Sequence, residues 1–316
     1  MYIPTYQDML DAHERIKPHI IHTPVRTSAY LNELTGAQLF FKCENFQEPG
    51  AFKVRGASNA VFGLDDDQAR NGVATHSSGN HASCLSYAAS LRGIPCNVVM
   101  PKTAPQAKKD TVRRYGGKIT ECEPSTTSRE ETFAKVQAET GGDFVHPYND
   151  HRVIAGQGTC AREFMEQADG LDIVVAPIGG GGMISGTCLT LSHQAPETQI
   201  IAAEPEQADD AMRSFKAGYI IADDAPKTVA DGLLVPLKER TWHFVSNHVT
   251  DILTASEDEI IDGMKLTWKH LRIVMEASSS VPLATILKNK DRFAGKRVGI
   301  IITGGNVDLD LLPWLK

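Results

Sequence analysis

Four consecutive glycines, Gly179, Gly180, Gly181 and Gly182, follow a continuous apolar run, Ile173-Val174-Val175-Ala176-Pro177-Ile178. They precede a segment that reads as a helix start, Met183-Ile184-Ser185-Gly186-Thr187-Cys188-Leu189. Glycine loses more conformational entropy on folding than any other residue and adds no side chain to packing. A run of it at a strand-to-helix turn implies that backbone N–H groups must come close to something. The usual occupant is a phosphate, held by a nest of amides and the positive end of the helix dipole. The alternative is a mobile surface loop, which the buried strand and amphipathic helix on either side argue against. No Gly-Lys-Ser/Thr follows the run, so nucleotide hydrolysis is not indicated.

The apolar run is one of a series. Short segments rich in Val and Ile at 39–43, 72–76, 97–100, 118–122, 143–146, 173–178, 200–203 and 298–303 read as strands. Several are apolar on both faces, as parallel strands buried between helices are. Helical patterns at 82–91, 105–115, 129–140 and 156–167 lie between them, and Gly116-Gly117 closes one of these as glycine does at a helix C-terminus. The βαβα order defines an α/β class with mainly parallel sheet. The three or four βα units within 72–148 form a compact block, expected to be a small domain inserted into a large one made of 1–71 and 149–316.

Composition narrows the partners. The 316 residues are 41% apolar and 22% charged, as in an ordinary globular enzyme, and the net charge of −7 is spread over interleaved acids and bases. Nothing forms a basic stripe that would track a phosphate backbone, so nucleic acid is not an expected partner. No apolar stretch approaches the length of a membrane span, and the first residues lack the basic-then-apolar pattern of a secretory signal. The six cysteines are scattered without a CxxC pair, as befits reduced, buried thiols in a cytoplasmic protein. His19 and His22 are three apart, but nothing nearby completes a zinc set.

Three polar turns carry the chemistry. In Ala51-Phe52-Lys53-Val54-Arg55-Gly56-Ala57, the amine of Lys53 sits between apolar neighbours just after a Pro-Gly turn. Desolvation there would lower its pKa, as Schiff-base chemistry requires, although most lysines are solvated surface charges. His76-Ser77-Ser78-Gly79-Asn80-His81-Ala82 links a strand to a helix. Small polar residues at a helix N-terminus offer free N–H groups to an anion such as a carboxylate; the plainer alternative is an N-cap by Ser78 or Asn80. Thr303-Gly304-Gly305-Asn306 ends the last strand. Ligands of open α/β sheets gather at such carboxyl ends of strands.

Together, Phe-Lys-x-Arg-Gly-Ala, Ser-Ser-Gly-Asn-His, the glycine run and Gly-Gly-Asn make the chain resemble the fold-type II pyridoxal-phosphate (PLP) enzymes. It is most similar to the serine racemase and serine/threonine dehydratase family and, within it, to the 3-hydroxyaspartate dehydratases. The likeness spans nearly the whole chain. It implies two open, twisted, mainly parallel sheets flanked by helices, in a large and a small domain. It also implies that Lys53 holds the cofactor covalently and moves protons at Cα, that Phe52 packs on the ring, and that Asn80 bonds the 3′ oxygen. Gly179, Gly180, Gly181, Gly182 and Met183 would cradle the phosphate, and Thr303 would face the pyridine nitrogen. A hydroxyl there does not force protonation of that nitrogen, which leaves a weaker electron sink suited to early loss of a β-hydroxyl. Ser78, Gly79, Asn80, His81 and Ala82 would hold the substrate carboxylate. Ser78, on the face opposite Lys53, matches the second acid–base group of the racemase-like members and leaves serine racemisation open.

The same resemblance places a divalent cation (Mg²⁺, or another such as Ca²⁺ or Mn²⁺) on Glu204, the Ala208 carbonyl and Asp210, hard oxygen donors suited to it. An acidic helix start is the alternative. Arg129 matches an arginine facing the pocket and would pair with the distal carboxylate of an aspartate-like substrate, assisted by His81; the alternative is a surface helix arginine. The family segment Glu-Pro-Ser/Thr-Gly/Ala-Gly/Ala is here Glu276-Ala277-Ser278-Ser279-Ser280, and the loop at 231–236 is more apolar than in racemases. Both differences weigh against serine as main substrate. The expected activity is dehydration of 3-hydroxyaspartate to iminosuccinate, then oxaloacetate and ammonia, by a homodimer. Serine or threonine dehydration is the alternative.

Two readings of another kind compete. Strand, glycine turn, helix, strand and Glu204 imitate a dinucleotide-binding unit of an NAD-dependent dehydrogenase, but Ser185 stands where the third glycine belongs. A catalytically silent PLP-binding regulator is opposed by intact Lys53, Ser78 and Asn80.

Overall fold

The computed structural model describes residues 1–222 and 226–315. Its strands are β1 (Val25–Arg26), β2 (Gln38–Cys43), β3 (Val73–His76), β4 (Cys96–Pro101), β5 (Lys118–Cys122), β6 (Asp143–Phe144), β7 (Ile173–Pro177), β8 (Gln199–Pro205), β9 (Asp251–Ala255) and β10 (Arg297–Ile302). They form a six-stranded sheet in the order β1-β2-β10-β7-β8-β9 and a four-stranded sheet in the order β5-β4-β3-β6. Among the strand pairs of the described residues, β1–β2 alone is antiparallel. The expected α/β class with two mainly parallel sheets is what the chain adopts.

Every residue of β7 is buried, and β10 is buried from Val298 onward, as strands covered by helices on both faces must be. Helix Gly182–Gln194 lies between them in sequence and packs on helix His151–Gln167. Short-range chemistry sets the helix ends. Thr5 with Asp8 and Ser256 with Glu259 form capping boxes, and Gly93 and Gly141 close helices in the left-handed region.

Helix Lys53–Phe62 packs between helices Asn80–Arg92 and His151–Gln167, one from each side of the fold. It is tethered by a buried ion network. Arg55, with no exposed surface, donates from Nε to Glu44 (2.7 Å) and from Nη2 to Glu163 (2.7 Å), while Lys42 Nζ reaches Glu163 at 2.8 Å. Two cations and two anions thus neutralise each other two residues beyond Lys53. Among the described residues, no helix is long and apolar enough to cross a membrane, and all six cysteines are free and buried.

Candidate active site

The polar turns singled out in the sequence converge at the carboxyl ends of β3, β7 and β10. Lys53 opens its helix one residue after Phe52, and its Nζ lies 5.1 Å from the centroid of the Phe52 ring. The same Nζ donates to the Pro147 carbonyl at 2.8 Å. Burial lowers the Lys53 pKa to about 8, against the opposing pull of Cys84 and Glu276. The neutral, nucleophilic form of this amine is therefore far more accessible near pH 7 than that of a solvated lysine.

Tyr148, beside Pro147, forms one wall of the glycine turn. A Cβ at Gly180 would stand 2.7 Å from its ring, and one at Gly182 would stand 2.9 Å from its Cβ. A Cβ at Gly179 would meet the Leu233 backbone at 2.7 Å, and one at Gly181 the Leu237 side chain at 2.7 Å. Gly181, with φ +84°, is the N-cap of helix Gly182–Gln194, which no side chain caps; Met183 follows, 3% exposed. The turn is thus walled so closely that only backbone lines it. A phosphate suits a cradle of this kind, with a nucleophilic amine one residue contact away through Tyr148 and Pro147. The residues present fit the cofactor.

Thr303 follows directly on β10 and is 4% exposed. Its carbonyl accepts from Phe52 N at 2.9 Å, and Ala51 bridges to Gly304, so the lysine turn and the last strand are tied together. Across from them, Asn80 Nδ2 donates to both carboxylate oxygens of Glu276 at 3.0 Å, while Asn80 Oδ1 accepts from Asn306 Nδ2 at 3.0 Å. Glu276 N in turn donates to Gly304 O at 3.0 Å. Burial pushes the Glu276 carboxyl up to about 7, Asn80 opposing.

Ser77 and Ser78 precede Gly79, the N-cap of helix Asn80–Arg92, and no side chain caps this end either. Open space surrounds the Cβ position of Gly79. The plainer alternative of a Ser78 or Asn80 cap is therefore not what forms. Ala82 is fully buried in the first turn. His81, 2% exposed, has Nε2 at 3.1 Å from the Val145 carbonyl, which only accepts. Its proton is on Nε2, and Nδ1 remains a buried acceptor with no partner among the described residues. Burial, then the Lys53 charge, lower its pKa to about 3.

A cavity of about 390 Å³ borders this turn, lined among others by Gly79, Asn80, Lys108, Asp231, Glu276 and Asn306. Asn80 and Glu276 line it, while Lys53 and the glycine turn do not.

Two expected groups lie apart from this circuit. Arg129, on helix Thr126–Thr140, lines a separate cleft with Pro101, Glu123, Pro124, Ser125 and Thr126. Its charge still reaches His76, whose pKa is lowered by burial and then by Arg129, and Tyr148. Glu204, near the end of β8, is fully buried. Its oxygens accept from Ala211 N (2.9 Å) and Met212 N (2.8 Å), and burial pushes its carboxyl up to about 9. Ala208 is buried in the turn beyond it, and Asp210 opens helix Asp210–Ala217. Among the described residues, no group of three or more His, Cys, Asp or Glu is arranged to hold a metal.

Glu276, Tyr148 and His146 are functional neighbours that the sequence reading does not mark. His146 Nδ1 accepts from Tyr148 N (3.3 Å) and Asn149 N (3.0 Å), so its proton is on Nε2. Burial, then His76, Lys238 and Lys53, lower its pKa to about 3. The only sequence signal was an aromatic and histidine clustering after β6, and Glu276 showed only as part of an atypical segment.

A lysine at a helix start, a glycine turn lined by backbone amides and a second uncapped helix N-terminus together make an α/β site of the PLP type. The sequence profile of the pyridoxal-phosphate dependent enzymes matches residues 16–304, and the chain belongs to that family. It is 86% identical over 314 residues to the beta-hydroxyaspartate dehydratase of Paracoccus denitrificans (strain Pd 1222), covering 99% of this chain and 100% of that protein. It is 50% identical to a serine racemase of Arabidopsis thaliana, covering 96% of this chain and 93% of the relative. Its fold matches the structure of maize serine racemase with a TM-score of 0.96 at 43% identity, over 99% of this chain and 97% of the other. Membership replaces the dinucleotide reading of the turn at 179–182. The physical reason is plain in Glu204, which is buried against two backbone amides rather than facing a ribose.

Proposed function

We propose that this protein is a PLP-dependent dehydratase that removes water from 3-hydroxyaspartate, giving iminosuccinate, which hydrolyses to oxaloacetate and ammonia. The observation that carries this reading is the 86% identity, end to end, with a beta-hydroxyaspartate dehydratase. The site's charge agrees with it. Arg129, Lys238 and Lys53 all act on the histidines at the end of the four-stranded sheet, His76 or His146. A substrate with two carboxylates suits such a cationic surround.

Bound through Lys53, pyridoxal phosphate supplies the electron sink that stabilises negative charge at the substrate Cα. The chain's own groups do the rest. The Lys53 amine takes the Cα proton, which its lowered pKa favours at neutral pH. The uncapped start of helix Asn80–Arg92, with Ser78 and Gly79 before it and Asn80, His81 and Ala82 within it, binds the α-carboxylate. The amides of the glycine turn and Met183 bind the phosphate. Phe52 and Thr303 bound the ring, with Asn80 toward its 3′ oxygen, and Ser78 lies on the face opposite Lys53. Arg129, whose charge reaches His76 and Tyr148, pairs with the distal carboxylate. The four-stranded sheet, built wholly within 73–144, supports residues 72–148 as the small domain and 1–71 with 149–316 as the large one.

Initial rates on the stereoisomers of 3-hydroxyaspartate, L-serine, D-serine and L-threonine test the reading. Hydroxyaspartate is expected to dominate kcat/KM; dominance of L-threonine, or of serine with racemisation, would replace it with the alternative. Arg129→Ala should raise KM for hydroxyaspartate by roughly 30-fold and leave KM for serine nearly unchanged. Equal effects on both would remove Arg129 from the distal site.

A divalent cation, Mg²⁺ or the like, is proposed at Glu204, the Ala208 carbonyl and Asp210. Support comes from the burial of both carboxylates, Glu204 being pushed up by burial first and further by the charges of Asp210 and Asp209, which a cation would relieve. Added Mg²⁺ or Ca²⁺ should raise the melting temperature by a few degrees, through roughly 2.7 kcal/mol at a hundredfold excess over Kd. A melting curve and activity indifferent to both cation and chelator would remove the site. A cytoplasmic homodimer is the assembly proposed, read by light scattering on the purified protein.

A further inference from the structure

Ser279 stands where the family segment carries a small glycine or alanine, and it is 1% exposed in the first turn of helix Ala277–Lys288. Its hydroxyl makes three short contacts. Gly304 N donates to Ser279 Oγ at 2.8 Å, Gly304 O lies 2.9 Å from it, and Thr303 Oγ1 lies 2.9 Å from it. A serine hydroxyl has one proton, so these contacts are not independent.

The Gly304 carbonyl accepts only, and 2.9 Å between two oxygens without a proton between them is repulsive. The Ser279 proton therefore goes to Gly304 O. The contact with Thr303 then needs the Thr303 proton, donated to Ser279 Oγ. All three contacts are hydrogen bonds in this arrangement and in no other. With its proton committed, the Thr303 hydroxyl offers only lone pairs to anything else. Among the described residues it has no second partner.

We propose that Ser279 is a positioning residue that turns the Thr303 hydroxyl into an obligate acceptor, so that the ring nitrogen facing it carries a proton in the resting holoenzyme. This rests on the reading that Thr303 faces that nitrogen. It reverses the expectation from residue type alone, because a hydroxyl free to rotate would donate to a neutral nitrogen instead. The protonated ring is the stronger electron sink for charge at Cα.

The test is the ¹⁵N resonance of ring-labelled pyridoxal phosphate in the holoenzyme, followed through a pH titration. In the wild-type protein the nitrogen is expected to be protonated at pH 7. In Ser279→Ala, the released Thr303 hydroxyl can donate, and the midpoint should fall by roughly one pH unit, the size of one ordinary hydrogen bond. Ser279→Thr, which keeps the hydroxyl, should restore the wild-type midpoint. Thr303→Val should lower the midpoint as well, and adding Ser279→Ala to it should change nothing further.

A neutral nitrogen in the wild-type holoenzyme at pH 7 overturns the proposal without any variant having to fold. A midpoint moved by Thr303→Val but not by Ser279→Ala overturns the role of Ser279 alone. A midpoint moved by neither shows that Thr303 does not face the ring. Hydroxyaspartate turnover, measured separately, decides the function itself.

Discussion

Lys53→Ala is expected to abolish the visible absorbance of the bound cofactor and to lower kcat/KM for hydroxyaspartate by about 10⁴-fold or more, with the fold intact. The magnitude follows from removing both the covalent anchor and the base at Cα, the latter alone worth about 10²- to 10⁴-fold. The fold should survive because Lys53 sits at the first position of its helix, where its side chain makes one backbone hydrogen bond. The apoprotein gives a second reading of the same group. Only the neutral amine attacks an aldehyde, so the rate of covalent cofactor uptake should rise with pH and level off above about 8. Burial is the cause, since it disfavours the ammonium form. A midpoint near the ordinary lysine value of 10.5 would show that the amine is solvated.

Arg55→Met should lower stability by about 3–5 kcal/mol, read from denaturant or thermal unfolding. The side chain is fully buried and answers Glu44 and Glu163 together. Its removal leaves two buried carboxylates with Lys42 alone. The pH dependence identifies the mechanism. Burial by itself would raise the Glu163 pKa, but Arg55 and Lys42 outweigh it and hold the carboxyl down at about 2. An acid whose folded pKa is depressed contributes stability above its unfolded value, about 4.5, and loses it as pH falls toward the folded value. Wild-type stability should therefore decline between about pH 4.5 and 2, and the Arg55→Met profile should be flatter across that window. A variant as stable as wild type would mean that apolar packing replaces the network without loss.

Strands β7 and β10 were legible because burial on both faces leaves a continuous apolar run, and their turns because glycine and small polar residues at strand ends have few structural reasons to be there. Strand β9 was not, because at the sheet edge only two of its five residues are buried and they follow no regular alternation. Strand β1, two residues long and antiparallel, carries almost no pattern. Helix Lys53–Phe62 lacks an exposed stripe, since eight of its residues are buried, and periodicity has nothing to register. Of the site, Lys53, Asn80, the glycine run and Thr303 stood out by type and spacing. Their partners did not. Glu276 reaches Asn80 across 196 residues of sequence, and the bond between Ser279 and Thr303 exists only because a helix start packs against the end of β10. Residue type marks a group that carries chemistry; only the packing shows which neighbour sets its proton.

The most direct measurement is to load the purified protein with pyridoxal phosphate, reduce it with borohydride, and locate the pyridoxyl group by peptide mass spectrometry. A single modified residue, Lys53, is the predicted result. A pyridoxyl group on any other lysine, or a protein that takes up no cofactor, would contradict the assignment on which the chemistry rests.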